Sequence, residues 1–150
     1  MNFNYPVDIT CGIIPLRYHD GVWQTLIVQS KKGNWGFSKG HKNAGESDQQ
    51  AAERELFEET GLQIKTYLHV DPLSFSYDYH EHAIHKKVIL FLASVIGHEK
   101  ICPTELQAAE WIAVDRVHEK INFETSRQMI VELQNIVALR KCHALQVLEK

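Results

Sequence analysis

GHKNAGESDQQAAERELFEETGL, residues 40–62, carries three glutamates, Glu55, Glu58 and Glu59, that a helix would turn to one side. At 3.6 residues per turn these positions fall within an arc of roughly 100°. Like charges at such spacings weaken an isolated helix by roughly 0.2–0.5 kcal/mol per pair, so the arrangement asks for a cation. Hard divalent ions such as Mg2+ or Mn2+ take oxygen ligands and suit the group. The plainer account is a solvated acidic face with Arg54 and Glu58 as an i, i+4 pair. For the glutamates taken alone, that account is the stronger one.

The flanking residues shift the balance. Ser47 is a good N-cap, and Gln50 three residues later completes a capping box, which puts the helix start at about Asp48. Gly61 suits a C-cap with positive φ. Ala51 shares the arc of the glutamates and, being small, is expected to leave space for ions and phosphate. Ala52 and Leu56 form an adjoining apolar stripe for the core. Leu62 then restarts an apolar run.

Gly40, Glu46, Arg54, Glu55, Leu56, Glu58, Glu59, Gly61 and Leu62 match G-x5-E-x7-R-E-U-x-E-E-x-G-U at every position. That pattern is the Nudix box, and the chain resembles the Nudix hydrolases. A match of this length in a loop-then-helix context is far more specific than a lone glycine-rich motif. The resemblance implies an α/β fold, an α/β/α sandwich with a central mixed sheet. It also implies hydrolysis of a nucleoside diphosphate linked to another group, with Mg2+ (Mn2+ possible) as cofactor. Such an ion neutralises the pyrophosphate, orients the scissile bond and acidifies water. Carried over by position, Gly40 (through its carbonyl), Glu55, Glu58 and Glu59 are the expected metal ligands. Glu55 is alternatively a general base. Arg54 is expected to hold the carboxylates, and Glu46 to pair with Arg54. Glu105 resembles an extra loop glutamate that serves several such enzymes as ligand or base; the competing account is a solvated loop acid.

The remainder of the chain reads as ordinary globular sequence. At 150 residues it is long enough for one domain, 1–150, burying about two thirds of its unfolded surface. Its 44% hydrophobic and 23% charged residues show no disordered or repetitive bias. The net charge of -3 gives no general footprint for nucleic acid, though Lys31, Lys32, Lys39, His41 and Lys42 bring local positive charge to the box. Cys11, Cys102 and Cys142 are far apart and suggest no disulfide framework. Neither a leader nor a membrane span is visible, so a cytoplasmic location without membrane attachment is expected.

Ile9–Leu16 and Thr25–Gln29 read as buried strands joined by a turn at His19-Asp20-Gly21. Trp35-Gly36-Phe37 is a short strand leading to Gly40, followed by a polar loop from His41 to Glu46. Ile64–Val70, Ser74–His80, Lys87–Val95 and Ala108–Ala113 carry further strand signals. From Glu124 to about Glu149 the apolar spacing predicts an amphipathic helix that covers a sheet face.

Substrate must be read outside the box. Trp35-Gly36-Phe37-Ser38-Lys39-Gly40-His41 resembles the approach segment of the asymmetrical diadenosine tetraphosphate hydrolases. There the lysine, here Lys39, would meet phosphate, with His41 beside it. Tyr79 and Lys86 match by spacing a tyrosine that stacks adenine and a lysine that binds phosphate. Tyr77 reads as packing. Ser38 stands where proline is usual, and Asn43-Ala44 where Glu-Pro is usual. His80, His82 and His85 lack a fourth zinc ligand and read as strand-loop histidines.

The resemblance therefore implies a small-molecule nucleotide partner and cleavage of diadenosine tetraphosphate to ATP and AMP. RNA 5′ pyrophosphohydrolysis, or another Nudix pyrophosphatase activity on a nucleoside-diphosphate-linked substrate, is the alternative, and only the RNA reading brings in nucleic acid. A nucleotide-sensing module on the same fold is the non-enzymatic alternative.

Overall fold

The two longest apolar runs of the sequence become the two central strands. The computed structural model describes residues 4–140. Within them β1 (Val7–His19) and β7 (Ile84–Ile96) run parallel, in register from Val7 opposite His85 to Leu16 opposite Ser94. β2 (Val22–Ser30) lies antiparallel to the far edge of β1. It carries β3 (Trp35–Gly36) and β8 (Leu106–Ala113), both antiparallel. β4 (Lys39–His41) pairs with the start of β1, while β5 (Gln63–Tyr67) and β6 (Leu73–Tyr79) share the outer edge of β7. The result is an eight-stranded mixed sheet.

Side-chain alternation along β1 separates two cores. Ile14 and Leu16 pack with Val88, Leu90 and Leu92 of β7 and with Met129, Ile130, Leu133 and Val137 of α2 (Arg127–Ala138). Cys11 and Ile13 face the other way, onto Ala51, Ala52 and Leu56 of α1 (Asp48–Thr60). A helix thus covers each face of the sheet, the sandwich expected from the box.

The β1–β2 turn has φ of 50° at Asp20 and 78° at Gly21. Left-handed backbone at both central residues matches the twist of a two-residue hairpin. The capping box forms as read: Ser47 Oγ accepts from the Gln50 amide at 3.1 Å, and Gln50 Oε1 accepts from the Ser47 amide at 2.9 Å. Gly61 closes α1 at φ 78°.

Three readings need correction. His41, expected to open the polar loop, instead ends a strand, Lys39–His41, because Thr10, Cys11 and Gly12 of β1 pair with it. Ala51 is fully buried rather than open toward ligand; its small size lets α1 settle close to the sheet. The last helix begins at Arg127, since Phe123 is extended and Glu124–Ser126 form a 3-10 turn. The portion expected after residue 140 lies outside the described residues.

Candidate active site

Gly40 shows why the box begins with glycine. It pairs with Cys11, whose side chain faces α1, so Gly40 turns toward the helix as well. A Cβ on Gly40 would lie 2.2 Å from the Glu55 carboxyl group. On the opposite strand, a Cβ on Gly12 would meet the Ser38 carbonyl at 2.1 Å. Backbone and carboxylate therefore approach each other with no room for any side chain. Ser38, buried where proline was usual, sets its hydroxyl 3.4 Å from the Glu55 carbonyl. Asn43 donates its amide to Glu46 Oε1 at 2.6 Å, closing the loop in which Glu-Pro was usual.

Arg54 spends all five of its N–H groups locally. Nε and one terminal nitrogen grip Glu46 at 2.7 and 3.0 Å. The other terminal nitrogen reaches Glu55 at 3.0 Å and Glu58 at 3.2 Å, and the His41 carbonyl accepts a bond at 2.8 Å. Hydrogen bonding to Arg54 holds the Glu46 carboxyl below the usual range, and Glu46 in turn raises the Arg54 guanidinium.

Glu59 has no such partner. It is 7% exposed. Burial, followed by the charges of Glu55 and Glu105, pushes its carboxyl up to about 8. The last turn of α1 contains no basic residue, so the negative end of the helix dipole adds to the load. Lys39 is reached from the cleft, yet loss of hydration between the cleft walls pulls its ammonium below its ordinary value, with Glu59 opposing that shift.

The loop carrying Glu105 is clipped to the end of α1. The Lys100 amide bonds the Thr60 carbonyl at 2.7 Å and the Cys102 amide bonds the Glu59 carbonyl at 2.9 Å. A pocket of about 410 Å3 is lined by Trp35, Lys39, Glu59, Tyr77, Glu105 and Phe123, so that Lys39 stands among the acids. It adjoins an apolar cavity of about 400 Å3 whose walls also include Trp35, Lys39, Tyr77 and Phe123, with Phe75 and Met129 further in. Rooms of this size accommodate small-molecule ligands.

Among the described residues no three His, Cys, Asp or Glu side chains stand as a ready cage for an ion. Glu58 lies against Arg54, 55% exposed, and Glu105 is also exposed. The part whose chemistry fits a hard cation is the Glu55–Glu59 pair with the adjoining Gly40 main chain. These are oxygen donors, one of them a buried carboxylate whose charge lacks a full counterpart.

The remaining sequence candidates fall elsewhere. Tyr79 lies at the outer end of β6, edge-on to His82 at 4.6 Å, and is absent from the walls of either cavity. Tyr77, read as packing, is the tyrosine on both. Strand alternation gives both tyrosines the same face, but the cleft reaches only as far as Tyr77. His41 and Lys86 meet at Asp8, a residue the sequence reading passed over. Trp35 and Phe123 were also not singled out as site residues. For Trp35 its nearness to Lys39 was a usable signal; Phe123 gave none.

The NUDIX domain model matches residues 10–133. The chain belongs to the Nudix family. It is accordingly a hydrolase by family, on the α/β/α fold described above. A bis(5′-nucleosyl)-tetraphosphatase [asymmetrical] of Rattus norvegicus is 29% identical over 132 residues, covering 81% of this chain and 90% of that protein. The NAD-capped RNA hydrolase NudC of Edwardsiella ictaluri (strain 93-146) is 28% identical over 130 residues, 85% of this chain. The chain spans only 48% of that relative's length. Among solved structures, a C. elegans Ap4A hydrolase binary complex superposes with a TM-score of 0.71 at 20% identity, covering 87% of this chain and 98% of that one. No helix among the described residues is long and apolar enough to cross a membrane.

Proposed function

We propose that this Nudix hydrolase cleaves diadenosine tetraphosphate and related dinucleoside polyphosphates to ATP and AMP. The observation that carries this reading is a pair of adjoining pockets that share Trp35, Lys39, Tyr77 and Phe123, one aromatic and roomy enough for a base, the other walled by Lys39, Glu59 and Glu105. The names of the tetraphosphatase relatives support the same substrate.

In this reading Tyr77, with Trp35 or Phe123, stacks a nucleobase, a contact that contributes about 1–3 kcal/mol per base elsewhere. Tyr79 is then outside the stacking surface. Lys39 contacts the phosphates, with Lys86 and His41 further along the polyphosphate. Glu55, Glu58, Glu59, the Gly40 carbonyl and Glu105 are the residues that would hold Mg2+ or Mn2+. When bound, the ion supplies charge against the polyphosphate and acidifies water. Arg54 keeps Glu55 and Glu58 in place. Glu55 or Glu105 accepts the proton of the attacking water. The water oxygen bonds to the phosphorus of the departing AMP, the bond from that phosphorus to the bridging oxygen breaks, and ATP leaves with that oxygen. We place this activity in a reducing cytoplasm, in keeping with the free thiols of Cys11 and Cys102.

The test is product analysis in 18O-water with Mg2+. ATP plus AMP, with the label in AMP, is the expected result. The NAD-capped RNA hydrolase relative favours a second reading, cleavage at the 5′ end of RNA. Turnover of 5′-triphosphate or NAD-capped RNA, with the dinucleotide left intact, would replace the first reading with the second.

A further inference from the structure

We propose that Asp8 is a positioning residue that, braced by His41, holds Lys86 beside the aromatic cleft, so that the remaining Lys86 donors face a polyphosphate. The inference rests on the proposed phosphate-bearing substrate and adds to it a residue from outside the box.

Three strands bring the group together. Asp8 on β1 stands opposite Lys86 on β7, and Thr10, two residues on, stands opposite His41 on β4. Lys86 is also directly across from Tyr77 on β6, the tyrosine of the cleft wall. Along β1, alternation puts Asp8, Thr10, Gly12 and Ile14 on one face; Ile14 belongs to the core under α2, and Gly12 pairs with Lys39. The same face thus runs outward from apolar core to Lys39, and then to the Asp8 group.

The contacts are close and use both carboxylate oxygens. Asp8 Oδ2 accepts from Lys86 Nζ at 2.5 Å, and Oδ1 lies 2.8 Å from His41 Nε2. The Lys86 and Asp8 side chains keep only 26% and 25% of their surface exposed. Hydrogen bonds first from Lys86 and then from His41 hold the Asp8 carboxyl below its usual range, so it is ionised and can only accept. His41 must therefore carry a proton on Nε2, which fixes the ring's orientation. The Lys86 ammonium has three N–H bonds; one is directed at Asp8, leaving two for a ligand. A long lysine stem held in advance loses less freedom when it binds.

A purely structural ion pair would have a different signature. Five proteins separate the cases: wild type, Asp8→Asn, Asp8→Glu, Lys86→Gln and the Asp8→Asn, Lys86→Gln double variant. Each is measured for kcat and KM on whichever of diadenosine tetraphosphate or 5′-triphosphate RNA the wild type cleaves, and for inorganic tripolyphosphate affinity by calorimetry. Asp8→Asn should raise KM and the tripolyphosphate Kd about tenfold, with kcat within about twofold, and Asp8→Glu should recover part of the loss. In the Lys86→Gln background the same Asp8→Asn change should cost no more than about twofold, because the residue it acts through is gone. An unchanged or lowered KM and Kd for Asp8→Asn, even with a lower melting temperature, would overturn the proposal. So would a penalty that persists in full without Lys86. Choice of RNA over dinucleotide by the wild type would sink the substrate reading alone, since the tripolyphosphate measurement still decides the role of Asp8.

Discussion

Glu46 and Glu59 belong to one motif and lie under opposite electrostatic conditions. Glu46 receives two bonds from Arg54 and one from the Asn43 amide, and is held ionised. Glu59, at the far end of α1, is buried between Glu55 and Glu105 and pushed up to about 8. One end of the motif has its charge settled within the protein; the other is only partly offset by Lys39 and keeps a proton below about pH 8 until a cation displaces it. The settled end builds the site, and the unsettled end gives it an appetite for a cation.

Glu59→Gln tests that contrast most severely. Loss of the buried ligand should reduce kcat by about a thousandfold or more, in the range seen when a principal electrostatic group is removed. The same change should leave the metal-free protein as stable as wild type or more so at pH 8. The sign follows from linkage: the Glu59 pKa is about 8 folded against 4.5 as the ordinary value, so the folded state holds the extra proton between them. Stability of the metal-free wild type therefore falls as pH rises through that window, by on the order of 1–3 kcal/mol after allowance for relaxation. Thermal melting with chelator at pH 5 and pH 8 measures it. Equal pH dependence in wild type and Glu59→Gln would break the comparison.

Metal affinity should show the complementary slope. Below about pH 8 an entering ion must displace the Glu59 proton. Calorimetric Mn2+ affinity should therefore rise toward tenfold per pH unit between about pH 6 and pH 8, and Glu59→Gln should flatten that rise.

At the settled end the expected loss is smaller. Arg54→Lys keeps the charge but cannot fork across Glu46 while also reaching Glu55, Glu58 and the His41 carbonyl. A fall of about 10- to 100-fold in kcat, with a stability loss of about 1–3 kcal/mol, is the expected outcome by assay and denaturant melt. Wild-type kcat in this variant would mean that the carboxylates hold their places without the fork.

Legibility in the sequence divides along the same line. Ser47, Gln50 and Gly61 delimit α1 through local rules, and Arg54 with its acids lies within one helix and the loop before it, so periodicity and capping suffice. Asp8 meets Lys86 across 78 residues and His41 across 33, and strand registers cannot be read from local spacing. Tyr77 and Tyr79 differ by one strand repeat and share a face; only the extent of the cleft, which Phe123 and the turn before α2 help to fix, distinguishes them. The box was legible because its chemistry is short-range. The cleft was not, because residues 35, 77 and 123 meet only after folding.

The smallest expected effect distinguishes those two tyrosines. Tyr77→Ala removes a wall shared by the aromatic room and the carboxylate pocket, and should raise KM about tenfold, consistent with loss of roughly one base-stacking contact. Because the ring is assigned to the base and not to the reacting phosphorus, kcat should change by less than about threefold. Tyr79→Ala deletes a ring that is 38% exposed and, among the described residues, packed edge-on to His82, and KM should stay within about twofold. The two substitutions remove the same atoms from the same face of the same strand, so differences in strand propensity and side-chain size cancel in the comparison. The reverse order, with Tyr79→Ala the costlier change, would require the base to lie beyond the cleft and would move the substrate path toward the turn after β6.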